Sequence, residues 1–101
     1  MTSSDYMEIL SDFLGDVSKR ISQLHQAIAE KSGLKIRMLA NAIKGAADTL
    51  GALSIHDAAR KLEEIGQNGK LEEAENALAK LSAEVPRLRE YVGLDVQTKN
   101  V

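Results

Sequence analysis

The sequence predicts an all-α protein, an antiparallel up-down-up-down four-helix bundle. Three observations predict it. Apolar residues recur at steps of three and four along four segments, the period of a helix with one apolar stripe. Glycines stand between those segments, where helices end. No segment alternates apolar and polar residues for long enough to argue for a strand. A chain of 101 residues makes one domain, expected over residues 1–94, with residues 95–101 as an aperiodic, disordered tail.

The first stripe is Tyr6, Leu10, Phe13, Val17, Ile21, Leu24 and Ile28, with Ser3, Ser4 or Asp5 available to cap its start. Gly15 interrupts it, at a cost of about 1 kcal/mol against alanine, and marks a candidate bend. The second stripe is Ile36, Leu39, Ile43, Ala47 and Leu50, opened by Ser32 and ended near Gly51. The third is Ile55, Ala58, Ala59, Leu62 and Ile65, ended by Gly66-Gln67-Asn68-Gly69. The fourth is Leu71, Ala74, Leu78, Leu81, Val85, Leu88 and Val92. Pro86 lies inside it and lacks the N–H that would bond the Ser82 carbonyl, which predicts a kink and not an end. Each stripe is apolar on one side only, so one shared core buries all four.

Composition excludes several classes. Thirteen basic against fifteen acidic residues give a net charge of -2, which is not the basic footprint of a nucleic-acid binder. No cysteine is present, so disulfides, thiolate metal sites and a cysteine nucleophile are excluded. No apolar run approaches the roughly 18 residues of a membrane span, and the N-terminus does not read as a signal peptide. The expectation is a cytoplasmic monomer with no nucleic-acid or membrane partner, no metal and no cofactor. His25 and His56 have no second histidine at i+3 or i+4, and a metal needs several convergent ligands. Each sits at the flank of an apolar stripe and reads as a boundary residue. Acidic pairs such as Glu63-Glu64 and Glu72-Glu73 read as solvated helix faces.

The unusual segment is the second helix. With Ile36 at zero and about 100° per residue, its apolar stripe clusters around zero. Lys44 then falls at about 80°, Arg37 at about 100°, Asp48 at about 120°, Asn41 at about 140° and Gly45 at about 180°. Leu34 and Met38 fall at about 160° and about 200°, beside the same face. A solvent-facing glycine in mid-helix weakens the helix, and a neighbouring element that tolerates it is one explanation. The sharper one is that something large approaches the backbone there. Gly45 leaves space, Arg37 and Lys44 attract an anion, and Leu34 and Met38 supply an apolar rim. The predicted docking face is therefore Leu34, Arg37, Met38, Asn41, Lys44, Gly45 and Asp48.

The run Asn41-Ala42-Ile43-Lys44-Gly45-Ala46-Ala47-Asp48-Thr49-Leu50-Gly51-Ala52 resembles the signature of histidine-containing phosphotransfer (HPt) domains, H-x-L-K-G-[SA]-[AS]-x-x-[LIF]-G-A. The resemblance continues through Ala59-Arg60-Lys61-Leu62-Glu63 and covers about 80 residues. It implies a four-helix bundle that passes phosphate between aspartates of response-regulator receiver domains through one exposed histidine. It further implies Lys44 as the phosphate-attracting base and Gly45 as the clearance for a receiver. The expected partner is a response-regulator receiver domain or a hybrid histidine kinase.

The departure from the signature falls at its reacting position, where Asn41 stands in place of the histidine. An amide nitrogen is conjugated with its carbonyl and is a very poor nucleophile, whereas phosphoryl transfer requires a placed one. The resemblance therefore points to a pseudo-phosphotransfer domain that binds receivers without relaying phosphate, and not to an enzyme. Two alternatives stay open at this level. One is an active phosphotransfer protein whose histidine is substituted in this chain or replaced by His25 or His56. The other is a helical interaction module unrelated to receivers.

Overall fold

The computed structural model describes the backbone of residues 3–99 and the side chains of residues 5–91. Four helices carry the fold: α1 Ser3–Ala29, α2 Gly33–Leu50, α3 Leu53–Asn68 and α4 Ala74–Lys99. They form the antiparallel up-down-up-down bundle, and no strand occurs among the described residues. Each helix packs on its chain neighbour and α4 closes on α1, with α2 and α3 the most extensive pair.

The core is aliphatic apart from Phe13, and no polar or charged residue is buried among the described residues. Leu10, Phe13, Val17 and Leu24 face inward from α1; Ile36, Ile43 and Ala47 from α2; Ile55, Ala59, Leu62 and Ile65 from α3; and Ala74, Leu78, Leu81 and Val85 from α4. Leu14, Ala27, Ala40 and Ala77 are buried too. These widen each stripe beyond one residue per turn, as a helix flanked by two neighbours requires. Ile21, Ile28, Leu39, Leu50, Ala58, Leu71 and Leu88 lie at the margin, and Tyr6 is exposed. Val92 lies outside the described side chains.

The helix ends follow local chemistry. Ser32 caps α2, its side chain accepting from the Lys35 N–H at 3.2 Å. Gly51 ends α2 at φ 72°, and Gly69 ends α3 at φ 74°, a left-handed conformation that glycine adopts without steric cost. Of the Gly66-Gln67-Asn68-Gly69 run expected to end α3, Gly69 is the cap and Gly66 lies inside the helix. Ser3, Ser4 and Asp5, expected as caps, lie within α1. The fourth segment opens with a 3-10 turn over Leu71–Glu73 before the α-helix begins at Ala74.

Pro86 does not end α4, and its ring lies on the exposed side, where water can satisfy the carbonyl it leaves unpaired. The helical backbone continues to Lys99, past the boundary that the sequence placed at residue 94. No proline or glycine follows Gly93 to interrupt it. Residues 100 and 101 of the expected tail lie outside the described residues.

Gly33 and Gly66 set the spacing between α2 and α3. A Cβ on Gly66 would stand 2.7 Å from the Gly33 carbonyl oxygen and 2.8 Å from the Arg37 nitrogen. A Cβ on Gly33 would stand 2.7 Å from the Gly66 carbonyl oxygen. Only residues without side chains let the two backbones approach this closely.

Candidate functional site

The outer face of α2 presents the residues that the helical period placed there. Leu34 is 60% and Met38 61% exposed, unusual for large apolar side chains. Arg37, Asn41, Gly45 and Asp48 are exposed as well. Nothing lies within 4 Å of the place a Cβ on Gly45 would occupy. The glycine therefore answers no packing need inside the molecule. Its carbonyl accepts from the Thr49 hydroxyl at 3.1 Å, so the helix is held together across that turn.

Lys44 is placed differently from its six companions. Its side chain is 29% exposed and turns toward α3, where Nζ lies 2.6 Å from Glu63 Oε1. Asn41 Nδ2 donates to the other oxygen of the same carboxylate, Glu63 Oε2, at 2.5 Å. Glu63 is thus a shared anchor. Read as a solvated face from the sequence, its side chain is only 17% exposed. The Lys44 and Asn41 hydrogen bonds hold its pKa below the usual carboxylate value, against the opposing effect of desolvation, with further help from the charges of Lys44 and Arg37. Glu64, its neighbour in sequence, behaves as expected and pairs with Arg60 on the surface.

Arg37, Met38, Asn41, Glu63 and Gln67 line a shallow depression of about 410 Å³ between α2 and α3. Glu63 and Gln67, one turn apart on α3, are the two residues of this site that helical periodicity did not find. Lys44 at the boundary angle of α2, and an acidic residue next to core Leu62 on α3, are the signals that could have paired them. The spacing also depends on the Gly33–Gly66 approach, because Glu63 lies one turn before Gly66.

On the other flank of α2, Met38, Leu39 and Ala42 form with Arg20, Gln23 and Ala27 of α1 part of a groove of about 510 Å³. Met38 therefore belongs to both edges of the face. His25 is exposed on α1. His56 is seven residues before Glu63, about 10 Å along α3, with Nδ1 3.2 Å from Asp57 Oδ1. Neither histidine lines the depression. Among the described residues no group of three or more metal-ligating side chains gathers, and no helix is long and apolar enough to cross a membrane.

A family model described as "Hpt domain" matches residues 8–91. Among solved structures, the chain is similar to histidine-containing phosphotransfer protein B (HptB) from Pseudomonas aeruginosa PAO1. The TM-score is 0.87 at 24% identity, over 96% of this chain and 84% of that one. No curated protein matches the sequence.

Proposed function

The chain belongs to the Hpt domain family of phosphorelay modules, and on that premise we propose that it docks receiver domains through the exposed face of α2 without accepting phosphate. The carrying observation is what stands at the centre of that face: Asn41, with Gly45 open beside it. HPt domains interact with response-regulator receivers or kinases. The signature places the phosphate-accepting nitrogen at residue 41, where this chain has an amide whose lone pair is delocalised.

The rest of the face suits docking. Leu34 and Met38 offer apolar area for a partner to bury, and Gly45 lets its backbone come close to the helix. Arg37 supplies a positive charge at the centre. A bundle that needed only to fold would gain from a better helix former than glycine at position 45.

The test uses receiver domains encoded in the same genome, including those of hybrid histidine kinases, each offered both unphosphorylated and phosphorylated with radiolabelled donor. At least one receiver is expected to be retained by the immobilised chain, with no acid-labile label passing to it. Label on the chain would refute the silent-domain reading and make His25 or His56 the acceptor. Retention of no receiver in either form would remove the docking reading.

A further inference from the structure

The exposed face of α2 is complementary to itself. Leu34, Met38, Asn41 and Gly45 follow one another at steps of four, three and four residues, the spacing of a seam along which two helices pack. Met38 is 61% exposed and projects outward, whereas Gly45 leaves a notch with nothing within 4 Å of the place its Cβ would take. The two lie seven residues apart, so a second α2 running the opposite way sets Met38 over Gly45 at two places at once. The twofold axis then passes between Asn41 and Ala42. Leu34 comes level with Thr49, whose hydroxyl turns back onto the Gly45 carbonyl at 3.1 Å and leaves its methyl group for contact. Arg37 of one copy and Asp48 of the other stand on the same side of the seam, about 3 Å apart along the helix. Neither makes an ion pair within its own chain among the described residues.

We propose that two copies of this chain pair through α2, antiparallel about a twofold axis beside Asn41, and that the pair masks the receiver-docking face. The pairing is a property of the chain alone; only the masking rests on the receiver-docking reading. Asn41 suits a place beside the axis, because an amide both donates and accepts and so can bond its own copy. One of its N–H groups holds Glu63, which leaves the other N–H and the carbonyl oxygen for that exchange. A charged side chain at the same place would meet its own like charge. Glu63, on the α3 side of the seam, is already balanced by Lys44 at 2.6 Å. An 18-residue helix is about 27 Å long and about 10 Å across, a footprint well under the roughly 800 Å² per partner of a standard interface. The pair is therefore weak and reversible. The monomer expected from the sequence is the form in dilute solution, and pairing grows with concentration.

Sedimentation equilibrium of the intact chain tests the pairing from about 10 μM to about 1 mM, a range that spans weak association. The mean mass should rise from that of one chain toward that of two; a single-chain mass throughout would overturn the proposal. Gly45→Gln fills the notch in a helix that it does not weaken, and should raise the dimer dissociation constant at least tenfold. An unchanged constant would overturn the proposal as well. Because the chain has no cysteine, single cysteines report the arrangement. Under mild oxidation Asn41→Cys, beside the axis, should link two copies, while Leu34→Cys on the same face should not. The two copies of residue 34 stand about 22 Å apart along the helix, and a disulfide spans no more than about 7 Å between Cα atoms. Melting curves confirm that both variants are folded, and linkage at Leu34 as fast as at Asn41 would overturn the antiparallel arrangement. A receiver that binds the chain should block the Asn41→Cys linkage; linkage undiminished by a bound receiver would overturn the masking. If copies pair and no receiver binds, the docking reading fails and the pairing stands; if receivers bind and copies do not pair, the reverse holds.

Discussion

Alanine placed at Gly66 and at Gly45 should move stability in opposite directions, although both glycines lie within helices. At Gly66 the new Cβ meets two backbone atoms of α2, at 2.7 and 2.8 Å, and neither can swing aside as the end of a side chain does. Helices α2 and α3 must separate, and overpacking of this kind costs about 3 kcal/mol, the upper part of its usual range. Alanine returns about 1 kcal/mol through helix propensity, for a net loss of about 2 kcal/mol. In a domain of this size that lowers Tm by roughly 8–16 °C. At Gly45 the Cβ meets nothing, so only the propensity term remains, and Tm should rise by roughly 4–8 °C. Thermal melts followed by circular dichroism at 222 nm measure both. A Gly66→Ala protein that melts at or above the parent temperature would refute the close-approach reasoning. Because Glu63 lies one turn before Gly66, the same variant should bring the Glu63 pKa back up toward the ordinary carboxylate value, which NMR titration of the side chain reads.

Gly45→Gln should weaken receiver binding while leaving the fold at least as stable, since the side chain projects into open space; unchanged affinity in a binding titration would remove Gly45 from the docking face. The charged Glu63 is favoured in the folded state, so its contribution is fully present above the unfolded carboxylate pKa of about 4.3 and is lost as pH falls through the lower folded value. The stability difference between the parent and Glu63→Gln should therefore shrink below about pH 4 in acid-denaturation curves; a constant difference would mean that the charge of Glu63 is not what stabilises. Lys44→Ala leaves that carboxylate half-buried with only the Asn41 amide, so the variant should melt lower than the parent, and an unchanged Tm would show the ion pair to be idle. Asn41→His should fold normally, because the position is exposed and a ring N–H of the imidazole can donate to Glu63 in place of the amide. Its imidazole should break the P–O bond of a receiver's aspartyl phosphate and form an acid-labile P–N bond; a folded, receiver-binding variant that stays unlabelled would mean that the site has diverged at more than one residue.

Helical period was enough to orient α2, because the direction of a side chain around one helix depends only on that helix. Leu34, Met38, Asn41 and Gly45 therefore stand on the surface where the sequence put them. The caps at Ser32 and Gly51 were legible for the same reason, each being a contact over a few residues. Gly66 was misread because a glycine near the end of a stripe looks the same whether it terminates a helix or admits another backbone. What distinguishes the two is Gly33 on α2, thirty-three residues away in sequence and in contact in space. Glu63 was misread through the same blind spot. A wheel says that it borders the core of α3, but only the register between α2 and α3 says that Lys44 and Asn41 stand opposite.

That register also bears on what a side chain at residue 41 meets. Lys44 and Asn41 are joined on Glu63, so a group placed at residue 41 faces a carboxylate already held in position. Removing the carboxylate and restoring the imidazole are thus separable changes. Glu63→Gln alone should give no transfer, and Asn41→His alone should allow it, with Glu63 as the acceptor for one ring nitrogen. If the two substitutions are combined, labelling should slow relative to Asn41→His, because the ring has lost the carboxylate that orients it. Faster labelling in the double variant would mean that Glu63 acts only as a barrier to phosphate and has no part in placing residue 41.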